Sequence, residues 1–171
     1  MRSLRDRLAD VPQIGRVTWI GLRPAHDAPL ALVDHVEAIA DRGLAGDRAA
    51  KSRGGNRQVT LVQAEHLPVI ASILGAPVEP VQLRRNLVIA GINLLSLGKL
   101  RFQIGDDVIV VGTGPCAPCS KLEDRLGPGG FQAARGHGGI TAKIERGGVI
   151  RIGDPVRVVA AVTSPQLELI G

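Results

Sequence analysis

Apolar and polar residues alternate in short bursts along this chain, and glycine or proline cuts most of the bursts. Residues 14–22 (IGRVTWIGL) and 57–63 (RQVTLVQ) are rich in β-branched side chains and read as strands. Residues 85–91, 100–105, 107–113 and 149–162 carry the same signature. Residues 31–40 fit two periods. Val33, Val36 and Ile39 suit a helix, whereas Leu32, Asp34, Val36, Ala38 and Ala40 recur at every second position. Residues 64–75 predict a helix with Leu67, Ile70, Ala71 and Leu74 on one buried face, Pro68 in its first turn and Gly75 as its stop. A short helix closed by Gly127 is expected over 119–127, and a fraying one over 2–10.

Many short strands with few helices suggest a mostly-β barrel, and the βαβ alternation of a doubly wound fold is not visible. No internal repeat and no Ser/Gly linker divides the 171 residues. The reading is therefore one domain over residues 13–171, preceded by an N-terminal extension or short helix over 1–12. A chain of this length buries enough surface to fold without disulfide or metal staples.

Composition removes several function classes. With 44% apolar and 22% charged residues and a mean hydropathy of +0.15, the chain is neither disordered nor built to span a membrane as helices. The N-terminal residues lack the apolar core of a secretory signal, so a soluble, cytoplasmic protein is expected. The aromatic residues are Trp19, Phe102 and Phe131, too few for the stacking platforms that bind single-stranded nucleic acid. A net charge of +5 attracts anions without saying which. The two cysteines, Cys116 and Cys119, share one short motif, which in a cytosolic chain points to redox, metal or nucleophile chemistry.

Four segments carry candidate chemistry. In residues 43–61, Gly43 and Gly46 allow tight backbone, Asp47 beside Arg48 suggests a local ion pair, and Arg48, Lys51, Arg53 and Arg57 follow without an acid. Such a loop suits a phosphate, and equally a solvated basic surface. In residues 82–98, strand alternation would place Arg84 and Asn86 on one face, to orient an anionic ligand or to fix a carboxylate of the fold itself. In residues 111–127, a helix starting near Cys119, with Lys121 or Arg125 close by, favours its thiolate. That thiolate would attack, carry sulfur as a persulfide, ligate a soft metal or pair with Cys116; two buried, inert cysteines are the plain alternative. Zinc lacks two further ligands. His137, between glycines in residues 134–156, is placed either to approach a ligand or to cap a turn.

Taken together, these segments resemble the MOSC family, named for the C-terminal domain of molybdenum cofactor sulfurases, and look like a small stand-alone bacterial-type member. The resemblance rests on Gly43-Leu44-x-Gly46-Asp47-Arg48, Arg57-Gln58-Val59-Thr60-Leu61, Arg84-x-Asn86-Leu87 with Gly91, Pro118-Cys119, and Gly138-Gly139 through Gly153-Asp154. Ala49 stands where the family often has histidine, and Arg85 where an acid is common.

The resemblance implies a MOSC-type β-barrel with one functional cysteine, here Cys119. It further implies binding of molybdenum cofactor (molybdopterin, a pterin phosphate), with Cys119 as metal ligand, or sulfur carriage as a Cys119 persulfide. Arg48, Arg57, Arg84 and Asn86 would hold the cofactor, with His137 behind them. Reduction of N-hydroxylated compounds or sulfur transfer would follow, so the chain reads as an oxidoreductase or a sulfur carrier. A cysteine desulfurase or a redox protein would be its partner, and neither membrane nor nucleic acid is expected. Two rivals stand beside this: a thiol-redox protein using Cys116–Cys119, and a non-catalytic module that binds anions.

Overall fold

Eleven strands and five short α-helices follow one another along residues 1–159, the part of the chain described by this computed structural model. Residues 160–162 of the expected last strand lie outside the described residues. The strands β1 (Gly15–Leu22), β5 (Val59–Gln63), β6 (Leu87–Ala90), β7 (Arg101–Ile104), β8 (Val108–Pro115), β9 (Ile140–Arg146) and β11 (Pro155–Val158) make a barrel. Their order is β11-β7-β8-β9-β5-β6-β1, and β1 pairs back onto β11 to close the ring. β2 (Ala31–Val33) extends β1 outside the ring. β3 (His35–Ile39), β4 (Gly43–Leu44) and β10 (Gly148–Arg151) form a separate three-stranded sheet. The mostly-β barrel read from the sequence is thus the observed fold.

The stretch 31–40 becomes two strands, β2 and β3. In β3 the period of two decides the outcome: Val36 and Ala38 are buried in the core while His35 and Glu37 face solvent. The 149–162 stretch splits instead, because Gly153 adopts a φ of +94° and turns the chain between β10 and β11.

One pairing departs from the antiparallel rule of the rest of the ring. β5 and β6 run parallel, joined by α2 (His66–Leu74) and α3 (Pro80–Leu83). Parallel neighbours need a crossover connection, and helices supply it. Strand, helix and strand are each expected here from the sequence, but the parallel pairing of the two strands is set only in the folded barrel. Both faces of its strands are covered. Val59, Leu61, Leu87 and Ile89 belong to the barrel core, whereas Val62 and Val88 pack with Ile70, Leu83, Leu122, Ala133 and Ala134. The last three come from α4 (Ser120–Leu126) and α5 (Gly130–Ala134). Burying each such Leu, Ile or Val contributes about 1.5–3 kcal/mol, so the helices are held against β5 and β6 by their apolar faces. Helix α1 (Leu4–Ala9) starts with a Ser3–Asp6 capping box and buries no residue.

Close approach of backbones sets one glycine. Gly139, just before β9, has a φ of +86°, and a Cβ there would overlap the Leu61 carbonyl oxygen of β5. Gly54 has a similar φ of +82° but faces open space. Urea denaturation should therefore separate the two: Gly54→Ala should cost about 1 kcal/mol for its left-handed backbone alone, and Gly139→Ala more than about 3 kcal/mol.

Candidate functional site

The ends of β1, β4, β5 and β6 meet around one buried carboxylate. Asp47 caps the 3-10 turn Arg48–Lys51 by accepting from the Ala49 amide at 3.0 Å. Arg23, one residue beyond β1, grips it with a bidentate fork, Nε to Oδ2 at 3.0 Å and Nη2 to Oδ1 at 3.0 Å, and its own amide adds a bond of 2.8 Å. Asn86 Nδ2 donates to the same carboxylate at 2.8 Å. The partner of Asp47 is thus Arg23 and not its sequence neighbour Arg48. Burial pushes the Asp47 carboxyl up, but the Arg23 guanidinium and the amides of Ala49 and Arg23 outweigh it and hold the group below the ordinary value of 3.8.

Asn86 is fully buried and its amide is fully used. Oδ1 accepts from the Thr60 amide at 3.0 Å, from the Thr60 hydroxyl at 3.1 Å and from Arg23 Nη2 at 3.2 Å, while Nδ2 also reaches the Gly21 carbonyl at 3.1 Å. It orders the site from behind. Arg84 is no strand residue: it ends α3 with a left-handed backbone, φ +54°, so alternation with Asn86 does not set its direction.

In front of this network opens a cleft of about 410 Å³ lined by Arg23, Arg48, Ala49, Arg57 and Thr60. Arg84 adjoins it, its guanidinium bonded to the Ala28 carbonyl at 2.6 Å. Burial lowers the Arg84 pKa, and the fields of Arg125, Arg23 and Arg48 lower it further against a small opposing pull from Asp27. Arg48, Arg57, Arg84 and Arg125 have no carboxylate ion-pair partner among the described residues.

β8 brings the thiols to the same place. A register shift between Gly112 and Gly114 bends the strand, and the Cys116 amide then bonds the Gly139 carbonyl at 2.8 Å. Cys116 is buried, with Sγ 4.0 Å from Arg57 Nη2; Cys119, at the N-cap of α4, is exposed. Behind them lies Arg85, held by the Gly138 and Leu83 carbonyls at 2.9 Å each. Burial lowers its pKa, while Cys116 and Cys119 pull it back up and Arg23 and Arg125 oppose them. Lys121, expected beside Cys119, instead binds Asp27 at 3.1 Å and His26 at 2.6 Å, tying α4 to the loop after β1.

The fold therefore brings together Arg48, Arg57, Arg84 and Asn86 from the sequence-derived set, and sets Cys119 on the loop whose Cys116 meets Arg57. His137 stands apart. Its ring packs edge-on against His66 of α2, centroids 5.2 Å apart, with its buried Nδ1 unpartnered among the described residues. Arg23 and Arg85 are the additions, and Arg125, expected near Cys119, lends its field to Arg84 and Arg85. Arg23 carries no local signal, since its role depends on a carboxylate 24 residues away.

The described residues contain no group of three or more His, Cys, Asp or Glu placed to hold a metal ion, and no helix long and apolar enough to cross a membrane. What they offer is one exposed cysteine on the loop of Cys116, whose Sγ lies 4.0 Å from Arg57 of the arginine-lined cleft. A molybdenum pterin phosphate fits that donor set: thiolate for a soft metal, guanidinia for a phosphate.

A seven-stranded closed barrel with one β-α-β crossover and a cysteine at the rim of a basic cleft defines the class. The chain belongs to the MOSC domain family, whose sequence profile matches residues 42–157. YuaD of Bacillus subtilis is similar in fold, with a TM-score of 0.70 at 20% identity over 87% of this chain and 98% of that one. YiiM of Geobacillus stearothermophilus has a TM-score of 0.69 at 19% identity, covering 85% of this chain and 75% of its own. YiiM of Escherichia coli gives 0.64 at 19%, covering 87% and 72%. No curated protein matches the sequence.

The buried ion pair sets a stability prediction. Because the Asp47 pKa is depressed in the fold, its contribution is complete above the ordinary carboxylate value and is lost as pH falls through the folded pKa. Urea denaturation of Asp47→Asn at pH 7 should show a loss of about 3 kcal/mol, from the Arg23 charge left unpaired. The gap between variant and wild type should narrow as pH drops below 3.8.

Proposed function

We propose that this MOSC protein binds an anionic pterin phosphate of the molybdenum-cofactor type in the arginine cleft and uses Cys119 as its reactive thiol. A cleft whose Arg48 and Arg57 lack carboxylate partners, with Arg57 reaching Cys116 of the loop that presents the exposed Cys119, carries this reading. Like charges gathered at one cleft raise the free energy of the empty site, and a bound anion removes that repulsion.

Each residue then has a task. Arg48 and Arg57, exposed on the cleft walls, and Arg84 at its edge take the phosphate oxygens through charge-assisted hydrogen bonds. Arg23 shapes the wall while Asp47 balances its charge. Asn86 and Thr60 fix the distance between the β5 and β6 ends and leave no amide free for the ligand. Arg85, held by two carbonyls, places a fixed positive charge near the cysteine loop. When bound, the cofactor supplies a molybdenum centre that exchanges electron pairs with a substrate, and Cys119 is the thiolate ligand available to it.

The same thiol supports sulfur carriage. Cys119 thiolate attacks the outer sulfur of a donor persulfide such as that of a cysteine desulfurase; the donor sulfur–sulfur bond breaks, its thiolate leaves, and Cys119 holds the persulfide. Cys116, buried beside Arg57, is not needed for that step.

Protein purified anaerobically from a host that makes the cofactor is the test. Wild type and Cys116→Ser should contain molybdenum and pterin, or a Cys119 adduct of one sulfur atom by mass spectrometry, and Cys119→Ser neither. Arg48→Gln and Arg57→Gln should each weaken phosphate binding roughly tenfold. Loss of function in both cysteine variants, with a reversible Cys116–Cys119 disulfide, would replace this reading by the thiol-redox one. Tight anion binding unaffected by Cys119→Ser, with no metal, pterin or persulfide, would leave a binding module.

A further inference from the structure

A second cavity, of about 340 Å³, opens against the cysteine loop. Pro115, Cys116, Ala117 and Pro118 form one wall, and Leu95, Phe131 and the glycines of residues 136–139 form the rest. Its lining is apolar except for one side chain, the exposed Arg135, which has neither a hydrogen bond nor an ion pair from its guanidinium among the described residues. Cys116 joins the two spaces: it lines this cavity, and its Sγ lies 4.0 Å from Arg57 of the arginine cleft.

Gly138 and Gly139 keep this wall thin. A Cβ on Gly138 would run into the Cys116 carbonyl oxygen, and Gly139 must lie against β5. Larger residues there would push the loop into the cavity. The volume is at the lower end for small-molecule sites, about 300 Å³ and upward, so it suits one or two fused rings. Phe131 offers a ring face or edge, and Arg135 a charge at the rim.

We propose that this cavity binds a small aromatic monoanion, a ring carboxylate or its equivalent, with the ring between Phe131 and Leu95 and the acidic group on Arg135. The proposal rests on the cleft reading only for its purpose: with the cofactor or persulfide on the Cys119 side, the cavity holds a second reactant against the same loop. Occupancy itself needs neither.

Naphthalene-2-carboxylate is a suitable probe, titrated calorimetrically against the purified chain, with naphthalene-2-carboxamide as the neutral comparison. The carboxylate should bind saturably and about tenfold more tightly than the amide. Arg135→Gln should erase that preference, and Ala117→Phe, an exposed loop position that projects bulk into the cavity, should abolish binding of both. In a Cys119→Ser background the carboxylate should also slow alkylation of Cys116 by iodoacetamide. Equal binding of acid and amide, binding unchanged in Arg135→Gln, or displacement of the probe by inorganic phosphate would overturn the proposal, the last by placing the probe in the arginine cleft. Failure here leaves the molybdenum and persulfide results untouched, and their failure leaves probe binding intact, so the two readings fall separately.

Discussion

The fork between Arg23 and Asp47 closes a gap that the barrel alone would leave open. Asp47 is a carboxylate with no exposed side-chain surface, and an isolated charge in that setting costs several kcal/mol. Five hydrogen bonds from the Arg23 side chain and amide, the Ala49 amide and Asn86 compensate for it. In doing so they bind the end of β1 to the turn after β4 and to the start of β6. Thr60 adds β5 through Asn86. The positions of the cleft arginines therefore follow from one satisfied buried charge.

That arrangement separates structural from available cations. Arg23 is neutralised by Asp47, and Arg85 is anchored by two carbonyls. Arg48, Arg57 and Arg84 lie in front of them without carboxylates, and Arg125 adds its field from α4. The parallel pairing of β5 and β6 makes this possible. Its crossover places α3 beside α4 and α5, so the residues that end α3, Arg84 and Arg85, meet the loop that begins α4, Cys116–Cys119. Cys116 of that loop lines the apolar cavity, and its Sγ lies 4.0 Å from Arg57 of the anion cleft.

Much of this was legible beforehand where the signal was local. Residues 14–22, 57–63 and 119–127 carry enough β-branched or helical pattern to declare their elements, and Gly75 and Gly127 stop their helices as left-handed or turning backbone does. The pairing of Asp47 with Arg48 suggested by adjacency was not observed, because a short side chain capping its own turn cannot also reach the next residue while a strand end presents a fork in line. The turns over Pro80–Leu83 and Gly130–Ala134 are one turn long or little more, and they exist because Leu83, Ala133 and Ala134 fill space under β5 and β6. Nothing periodic announces them.

The sequence by itself determined most of the short strands, the MOSC motifs and the cysteine that they single out, and left residues 31–40 open between two periods. Each of these is a property of residues within a few positions of one another. Tertiary structure alone decided which arginine holds Asp47, that Asn86 is spent inside the fold, that His137 turns to His66, and that Cys116 and Cys119 differ in exposure. The physical reason is common to all four. A charge or a thiol takes its character from the groups that surround it, and closing the barrel brings those groups from strands and helices tens of residues apart.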